Sequence, residues 1–120
     1  MSRPLALIVE DERDISIVFS RALNAAGFVT EVMQTGDTAL EWLSTGSPDI
    51  VLLDLNLPQV TGEEILRHIR SDPRLAKTPV IVATAYARLA ENIREQADRV
   101  LFKPVSFRQL RDLANLLGRD

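Results

Sequence analysis

The stretch Asp49-Ile50-Val51-Leu52-Leu53, followed by Asp54, is apolar almost throughout and has the length of one β-strand. A second run of the same kind, Pro79–Ala83, lies further along the chain. Continuous apolar runs of this length are typical of parallel strands covered on both faces, because neither face then needs polar side chains. These two runs predict the centre of a parallel sheet.

Three further apolar runs extend this pattern toward both ends of the chain, and they predict strands at Leu5–Val9, Phe28–Val32 and Val100–Phe102. Between the strands, apolar residues recur at helical spacing. They predict helices around Ile15–Ala26, Ala39–Leu43, Ile65–Ile69 and Leu110–Leu117, whereas Arg88–Ala97 has only a weak pattern. Ser106 and Gln109 form a capping-box pair before the last helix. Strands that alternate with helices predict an α/β fold with a doubly wound, five-stranded parallel sheet.

Composition limits the class of protein. The chain has 120 residues, 46% of them hydrophobic, a size and balance that predict one folded domain over residues 1–120. It has no cysteine, which excludes disulfides and thiolate metal sites. A net charge of −3 argues against direct binding of nucleic acid. Without an apolar run long enough for a membrane span or a secretory signal, we expect a cytoplasmic protein with no membrane partner.

Polar residues directly follow four of the five predicted strands. Glu10-Asp11-Glu12 follows the first strand, Asp54 the third, Thr84 the fourth and Lys103 the fifth. Because the carboxyl ends of parallel strands lie at one edge of the sheet, we expect these residues to meet there. Crowded carboxylates repel one another and raise each other's pKa unless a cation intervenes, and Mg²⁺ suits a site with few carboxylates.

Each of these residues also has an ordinary structural interpretation. Asp11 or Glu12 alone is typical of a helix cap. Thr84 alone could be a strand-end hydroxyl, and Lys103 a solvated charge in a loop. The combination of acids, a hydroxyl and an amine at one edge favours a metal-dependent site that accepts a phosphoryl group.

A set of motifs stands at these strand ends and in the loop after the third strand: Val9-Glu10-Asp11-Glu12, Leu52-Leu53-Asp54-Leu55-Asn56-Leu57-Pro58, Gly62, Ala83-Thr84-Ala85 and Lys103-Pro104. Together they resemble the receiver domain of two-component response regulators, from about Leu5 to Leu117. The resemblance implies a flavodoxin-like sheet with strand order 2-1-3-4-5. It also implies a stand-alone switch that controls protein–protein interaction and is not itself an enzyme.

By this resemblance, Asp54 is the phosphoacceptor, which takes a phosphoryl group from a sensor histidine kinase or a phosphotransfer protein. The resemblance also implies a Mg²⁺ site. Asp11 and Asp54 would bind the ion directly, Glu10 through water, and Asn56 through its backbone carbonyl.

The same resemblance implies roles for the residues that end the fourth and fifth strands. Lys103 and Thr84 would each contact a phosphoryl oxygen, and the Lys103–Pro104 peptide would be cis. The phosphorylated domain would then act on a downstream protein target.

Two departures from the family pattern concern the output of the switch. Val100 stands where most relatives carry an aromatic residue, and Tyr86 is the candidate replacement. The stretch from Thr84 to Lys103 is a few residues shorter than usual, which predicts an atypically short fourth helix. Outside the motifs, His68 lies on a charged helix pattern and is expected to be a solvated surface residue.

Two alternatives remain open at this level. A degenerate receiver would keep the fold and serve only as a docking or dimerisation module. A phosphohydrolase of the haloacid-dehalogenase type also pairs an aspartate nucleophile with a threonine and a lysine. Such an enzyme uses a second aspartate as acid and base, where this chain has Asn56.

Overall fold

The computed structural model describes residues 3–118, in which strands and helices alternate along the chain. The strands are β1 (Leu5–Val9), β2 (Val29–Met33), β3 (Ile50–Asp54), β4 (Val80–Thr84) and β5 (Arg99–Phe102). The helices are α1 (Arg13–Ala25), α2 (Gly36–Thr45), α3 (Gly62–Ser71), α4 (Ala87–Glu91) and α5 (Phe107–Leu117).

The five strands form one parallel sheet in the order β2-β1-β3-β4-β5. Helices α1 and α5 cover one face, which we call the α1/α5 face. Helices α2 and α3, with Leu89 and Ile93 from the α4 region, cover the opposite face, which we call the α2/α3 face. Every residue of β3 and β4 is buried, as expected for strands covered on both sides. The predicted α/β fold and strand order are confirmed.

Several strand boundaries differ from the prediction. The β1 bounds are as predicted, but β3 and β4 each begin and end one residue later and so include Asp54 and Thr84. The prediction ended each strand where its apolar run ended, whereas the backbone pairing continues through the polar residue. Asp54 pairs with Ala83, and Thr84 pairs with Phe102. These polar side chains are therefore held by the sheet itself and not by a loop.

Helices α2, α3 and α5 each begin with a side-chain cap. Ser106 accepts the N–H of Gln109 at 3.0 Å, which is one of the two bonds of the predicted capping box. A complete capping box begins α3, where Thr61 accepts the N–H of Glu64 and Glu64 accepts the N–H of Thr61. This box was not anticipated, although its Thr-x-x-Glu spacing is visible in the sequence.

Helix α4 is short. It spans five residues and is followed by turns as far as β5. Ala90 and Ile93 are nevertheless buried, and Ile93 belongs to the core on the α2/α3 face. The weak helical pattern of Arg88–Ala97 thus corresponds to one helical turn with few apolar contacts. Within residues 3–118, no helix is both long enough and apolar enough to cross a membrane.

Candidate phosphoacceptor and metal site

Three charged side chains converge at the carboxyl edge of the sheet. Glu10, Asp54 and Lys103 follow β1, end β3 and follow β5, respectively. Side chains alternate between the faces of a strand, so each points to the same face as the residue two positions earlier. Those earlier residues, Ile8, Leu52 and Leu101, all belong to the core under α1 and α5. The strand register therefore brings the three charges together on the α1/α5 face.

Lys103 lies between two buried carboxylates. Its Nζ is 2.9 Å from Oε1 of Glu10 and 3.4 Å from Oδ2 of Asp54. Glu10 is fully buried, and Asp54 is 3% exposed. Buried charges without partners are costly, so the lysine stabilises the ionised form of both acids.

The remaining oxygen of each buried carboxylate accepts a backbone hydrogen bond. Asp54 Oδ1 accepts the N–H of Asn56 at 3.1 Å, and Glu10 Oε2 accepts the N–H of Glu12 at 3.2 Å. In both cases a carboxylate accepts a backbone N–H two residues further along, and for Asp54 this is the arrangement of an Asx turn. These N–H donors were not predicted, although an acid at the start of a tight turn is a usable signal in the sequence.

Burial dominates the electrostatics of the site. It raises the pKa of Glu10 to about 7, with a further increase from the charge of Asp54, against the opposing effects of Lys103 and the Glu12 N–H. Burial also raises the pKa of Asp54, against the Asn56 N–H and Lys103. For Lys103, burial opposes the charge, but the two carboxylates outweigh it and raise the pKa. One lysine thus neutralises only part of the negative charge.

A third carboxylate completes an oxygen-rich cluster. Glu10, Asp11 and Asp54 each offer one oxygen, and these oxygens lie within 4.8 Å of one another. Asp11 is exposed, whereas the other two acids are buried. Hard divalent cations prefer oxygen ligands, and the surplus of negative charge favours one here. The donor set fits the predicted Mg²⁺ site.

A small cavity of about 150 Å³ opens beside these residues. Its wall includes Asp11, Asp54, Asn56 and Lys103, together with Tyr86. The side chain of Tyr86 is 54% exposed, so the tyrosine stands at the entrance. The cavity gives a small ligand access to the carboxylate of Asp54.

Thr84 does not join this cluster directly. By strand alternation after Val82, its side chain belongs to the α2/α3 face, the opposite face from Asp54. Its buried hydroxyl accepts the backbone N–H of Tyr86 at 3.0 Å. A hydroxyl so placed would have to exchange this bond to contact a ligand bound to Asp54.

Gly62, one of the predicted motif residues, permits a close backbone approach beneath the site. A Cβ atom at this position would lie 2.3 Å from the carbonyl oxygen of Asp54 and 2.6 Å from Cα of Leu55. Only glycine fits against the end of β3 without moving it. The Lys103–Pro104 peptide is cis, as the resemblance implies.

The structure corrects the expectation for His68. Its side chain is half-buried, and Nε2 is shielded from solvent without a hydrogen-bond partner among the described residues. His68 lies three residues after Ile65 and next to Ile69, both buried, so it borders the packed side of α3. The charged neighbours in the sequence obscured this position.

Two aromatic residues, Tyr86 before α4 and Phe102 at the end of β5, are exposed. Val100 is half-buried and packs into the core on the α2/α3 face, whereas Phe102 is 46% exposed at the end of β5. Tyr86, the candidate replacement, precedes the short α4. The two departures noted in the sequence therefore affect adjacent parts of the structure.

Comparisons with known proteins agree with this architecture. A family model described as the response regulator receiver domain matches residues 6–115. The polar-differentiation response regulator DivK of Brucella ovis is 33% identical over 103 residues, covering 83% of this chain and 84% of that protein. The phosphate regulon transcriptional regulatory protein PhoB of Rhizobium meliloti is 34% identical over 110 residues, covering 89% of this chain and 48% of that protein. The chain thus spans about half the length of PhoB.

A solved structure of a response regulator receiver domain has the same fold. The response regulator receiver domain (CheY-like) from Methylobacillus flagellatus has a TM-score of 0.85 and 28% identity, covering 97% of this chain and 99% of that one. The family match extends over nearly the whole chain and includes every residue of the carboxylate cluster. The chain therefore belongs to the response regulator receiver domain family.

Proposed function

We propose that this chain is a phosphorylation-dependent switch in which Asp54 accepts a phosphoryl group in a Mg²⁺-dependent reaction. The donor would be a phosphohistidine on a sensor histidine kinase or a phosphotransfer protein. The observation that carries the proposal is the position of Asp54, whose buried carboxylate lies beside Lys103 and faces a small open cavity. The phosphorylated domain would then control binding to a downstream protein target.

The transfer needs no general base, because an ionised carboxylate is already a nucleophile. A carboxylate oxygen of Asp54 forms the new bond to phosphorus while the P–N bond to the donor imidazole breaks. The imidazole nitrogen keeps that electron pair, and the product is an acyl phosphate. Lys103, already within 3.4 Å of Asp54, would place positive charge beside the phosphoryl oxygens.

The metal would be held by Asp11 and Asp54 directly, by Glu10 through water and by the backbone carbonyl of Asn56. When bound, it would supply positive charge that offsets repulsion between the carboxylates and the incoming phosphoryl oxygens. The hydroxyl of Thr84 would leave the Tyr86 N–H and donate to another phosphoryl oxygen. This exchange would link the site to α4.

We also propose that the protein acts in the cytoplasm, because phosphohistidine donors derive from ATP. We propose that the protein does not bind nucleic acid or a membrane directly, in keeping with its acidic composition. Under this proposal, residues 1–120 act as one response-regulatory domain.

Labelling tests the assignment of the phosphoacceptor. Incubation with acetyl phosphate and Mg²⁺ should add one phosphoryl group, measured by intact mass and mapped to Asp54. Asp54→Asn should abolish the label, and chelation of Mg²⁺ should prevent it. Asp112→Asn, which changes an exposed acid on α5, should be labelled like the parent. Labelling that persists in Asp54→Asn, or that needs no divalent ion, contradicts the proposal, and no labelling at all favours the degenerate receiver.

Repeated hydrolysis of a phosphate monoester would distinguish a phosphohydrolase from a phosphorylation-dependent switch. Asn56 cannot supply the proton that a leaving alcohol requires, so simple phosphate monoesters should not be hydrolysed through repeated cycles. We expect slow, stoichiometric release of phosphate from the labelled protein, measured as free phosphate over time. Sustained release from a monoester that disappears in Asp54→Asn would instead identify an enzyme.

A further inference from the structure

Arg70, at the end of α3, connects two segments that lie at the amino ends of β4 and β5. Its Nε donates to the carbonyl oxygen of Gln96 at 2.7 Å. One terminal nitrogen donates to the carbonyl oxygens of Ala76 at 3.0 Å and Thr78 at 2.7 Å. The other contacts Oδ1 of Asp98 at 2.9 Å. One side chain thus holds both the α3–β4 connection and the α4–β5 connection.

Asp98 extends this attachment to the sheet. Its Oδ1 also accepts the backbone N–H of Val80 at 2.8 Å, and its own N–H donates to the carbonyl oxygen of Val80 at 2.9 Å. The carboxyl end of residues 86–98, which we call the α4 segment, is therefore fixed to both α3 and β4.

The amino end of the α4 segment is held differently. The N–H of Tyr86 donates to the hydroxyl of Thr84 at 3.0 Å. The carbonyl oxygen of Tyr86 accepts the N–H of Leu89 at 3.1 Å and of Ala90 at 3.4 Å, which starts α4. This end depends on a side-chain hydroxyl that, under the proposed function, turns toward the phosphoryl group. One end of the segment is therefore switchable, and the other is anchored.

We propose that Arg70 is a positioning residue of the switch, which anchors the carboxyl end of the α4 segment while phosphorylation releases its amino end. This inference rests on the proposed function. With one end anchored, release of the Tyr86 N–H shifts the first turn of α4 beside the cavity and leaves residues 92–98 in place. Without Arg70, the same release loosens the whole segment, because its carboxyl end has lost its attachment to α3.

Arg74 offers a matched control. It donates to the carbonyl oxygen of Gly46 and the hydroxyl of Ser47, each at 2.6 Å, and to the carbonyl oxygen of Leu43. It also lies 3.6 Å from Asp72. Arg74 thus makes a similar set of contacts to Arg70, but it holds the end of α2 and contacts no residue of the α4 segment.

The test compares the parent with Arg70→Lys and Arg74→Lys, with and without acetyl phosphate and Mg²⁺, by amide hydrogen exchange and mass spectrometry. Lysine keeps the charge, but its single nitrogen cannot span the acceptors that the guanidinium reaches. In the parent, labelling should speed exchange only in residues 86–91. In Arg70→Lys the effect should extend through residues 92–98, by roughly tenfold. In Arg74→Lys it should remain confined to residues 86–91.

Two outcomes overturn the inference: the confined pattern persists in Arg70→Lys, or Arg74→Lys spreads the effect equally, which would indicate general destabilisation. If Arg70→Lys does not fold, Asp98→Asn serves in its place, because its neutral amide weakens the charged contact with Arg70 while its oxygen still accepts the Val80 N–H. The mass of each sample shows whether Asp54 was labelled. An unlabelled parent contradicts the proposed function and the inference together, whereas a labelled parent whose variants respond alike contradicts the inference alone.

Discussion

At the scale of single residues, the site contains two buried carboxylates whose negative charge is neutralised only in part by one lysine. Glu10 and Asp54 are buried with one cation, Lys103, between them, and each also accepts a backbone N–H. These bonds hold both carboxylates in place before any ligand arrives. The exposed Asp11 adds charge that no lysine contact offsets in the part of the chain described. Such a site is oriented for a cation and still has negative charge for it to neutralise.

Replacement of Gly62 by alanine should disturb the backbone of Asp54 directly. The new Cβ would collide with the carbonyl of Asp54 and with Cα of Leu55, both backbone atoms of the loop junction. We expect a loss of about 1–3 kcal/mol of unfolding free energy, the usual cost of overpacking, and slower labelling by acetyl phosphate. Urea denaturation and the rate of labelling measure the two effects.

Gly27 provides the control for that variant. It has a φ of 101°, but apart from its chain neighbours no atom of residues 3–118 lies within 4 Å of the position of its Cβ. Gly27→Ala should therefore cost about 1–2 kcal/mol through backbone strain alone and leave the labelling rate unchanged. Equal labelling in Gly62→Ala and the parent would show that the close approach is not needed to position Asp54.

At the scale of elements, the helices differ in how strongly their ends are determined. Helix α3 begins with a complete capping box and buries Ile65, Leu66 and Ile69, whereas α4 has neither a side-chain cap nor more than one buried residue. An element with few buried apolar contacts opens at low cost. Helix α4 is therefore the element most easily repositioned, and it follows directly after Thr84 and the exposed Tyr86.

Loss of the α3 cap should weaken the helix that supports the β3–α3 loop. Thr61→Ala removes the acceptor for the Glu64 N–H and should lower the unfolding free energy by about 1 kcal/mol. Ser106→Ala, at the start of α5, removes a comparable single bond and should cost a similar amount. Denaturant titration measures both, and a Thr61→Ala variant as stable as the parent would mean that solvent satisfies the freed N–H equally well.

At the scale of the whole molecule, the sheet separates two hydrophobic cores, one on each of its faces. Asp54 and Lys103 lie on the α1/α5 face, whereas Thr84 lies on the α2/α3 face. A change at Asp54 can reach α4 around the end of β4. The hydroxyl of Thr84, bonded to the Tyr86 N–H, occupies that position.

The stability of the molecule without divalent ions should depend on pH through Glu10. Its pKa is raised from 4.5 to about 7 in the folded state, so the folded protein binds more protons than the unfolded chain between these values. The corresponding stability is present below the lower value and is lost as the pH rises through the higher one, by on the order of 3 kcal/mol. Glu10→Gln should lack this loss, so its stability relative to the parent should increase between about pH 5 and about pH 8.

Thermal unfolding of both proteins across that range measures the difference. Added Mg²⁺ should restore the parent at the high end, because a ligand that binds only the folded state stabilises it by mass action. A difference between parent and Glu10→Gln that does not change with pH would contradict the raised pKa of this carboxyl.

The sequence by itself determined the alternation of strands and helices, the parallel sheet and the edge at which the polar residues collect. These features follow from local signals, namely continuous apolar runs closed by acids, a hydroxyl or a lysine. The strand order came from the resemblance to a family. The ends of β3 and β4 lie one residue later than predicted, since pairing continues past the last apolar side chain.

Only the tertiary structure decided which of these residues touch. Lys103 meets Glu10 across a separation of 93 residues, Thr84 faces away from Asp54, and Arg70 joins two loops through carbonyl oxygens. Such contacts depend on strand register, side-chain direction and the path of the backbone, which arise only when distant segments pack together. A local pattern can place a charged residue at the edge of a sheet, but only packing determines its partner.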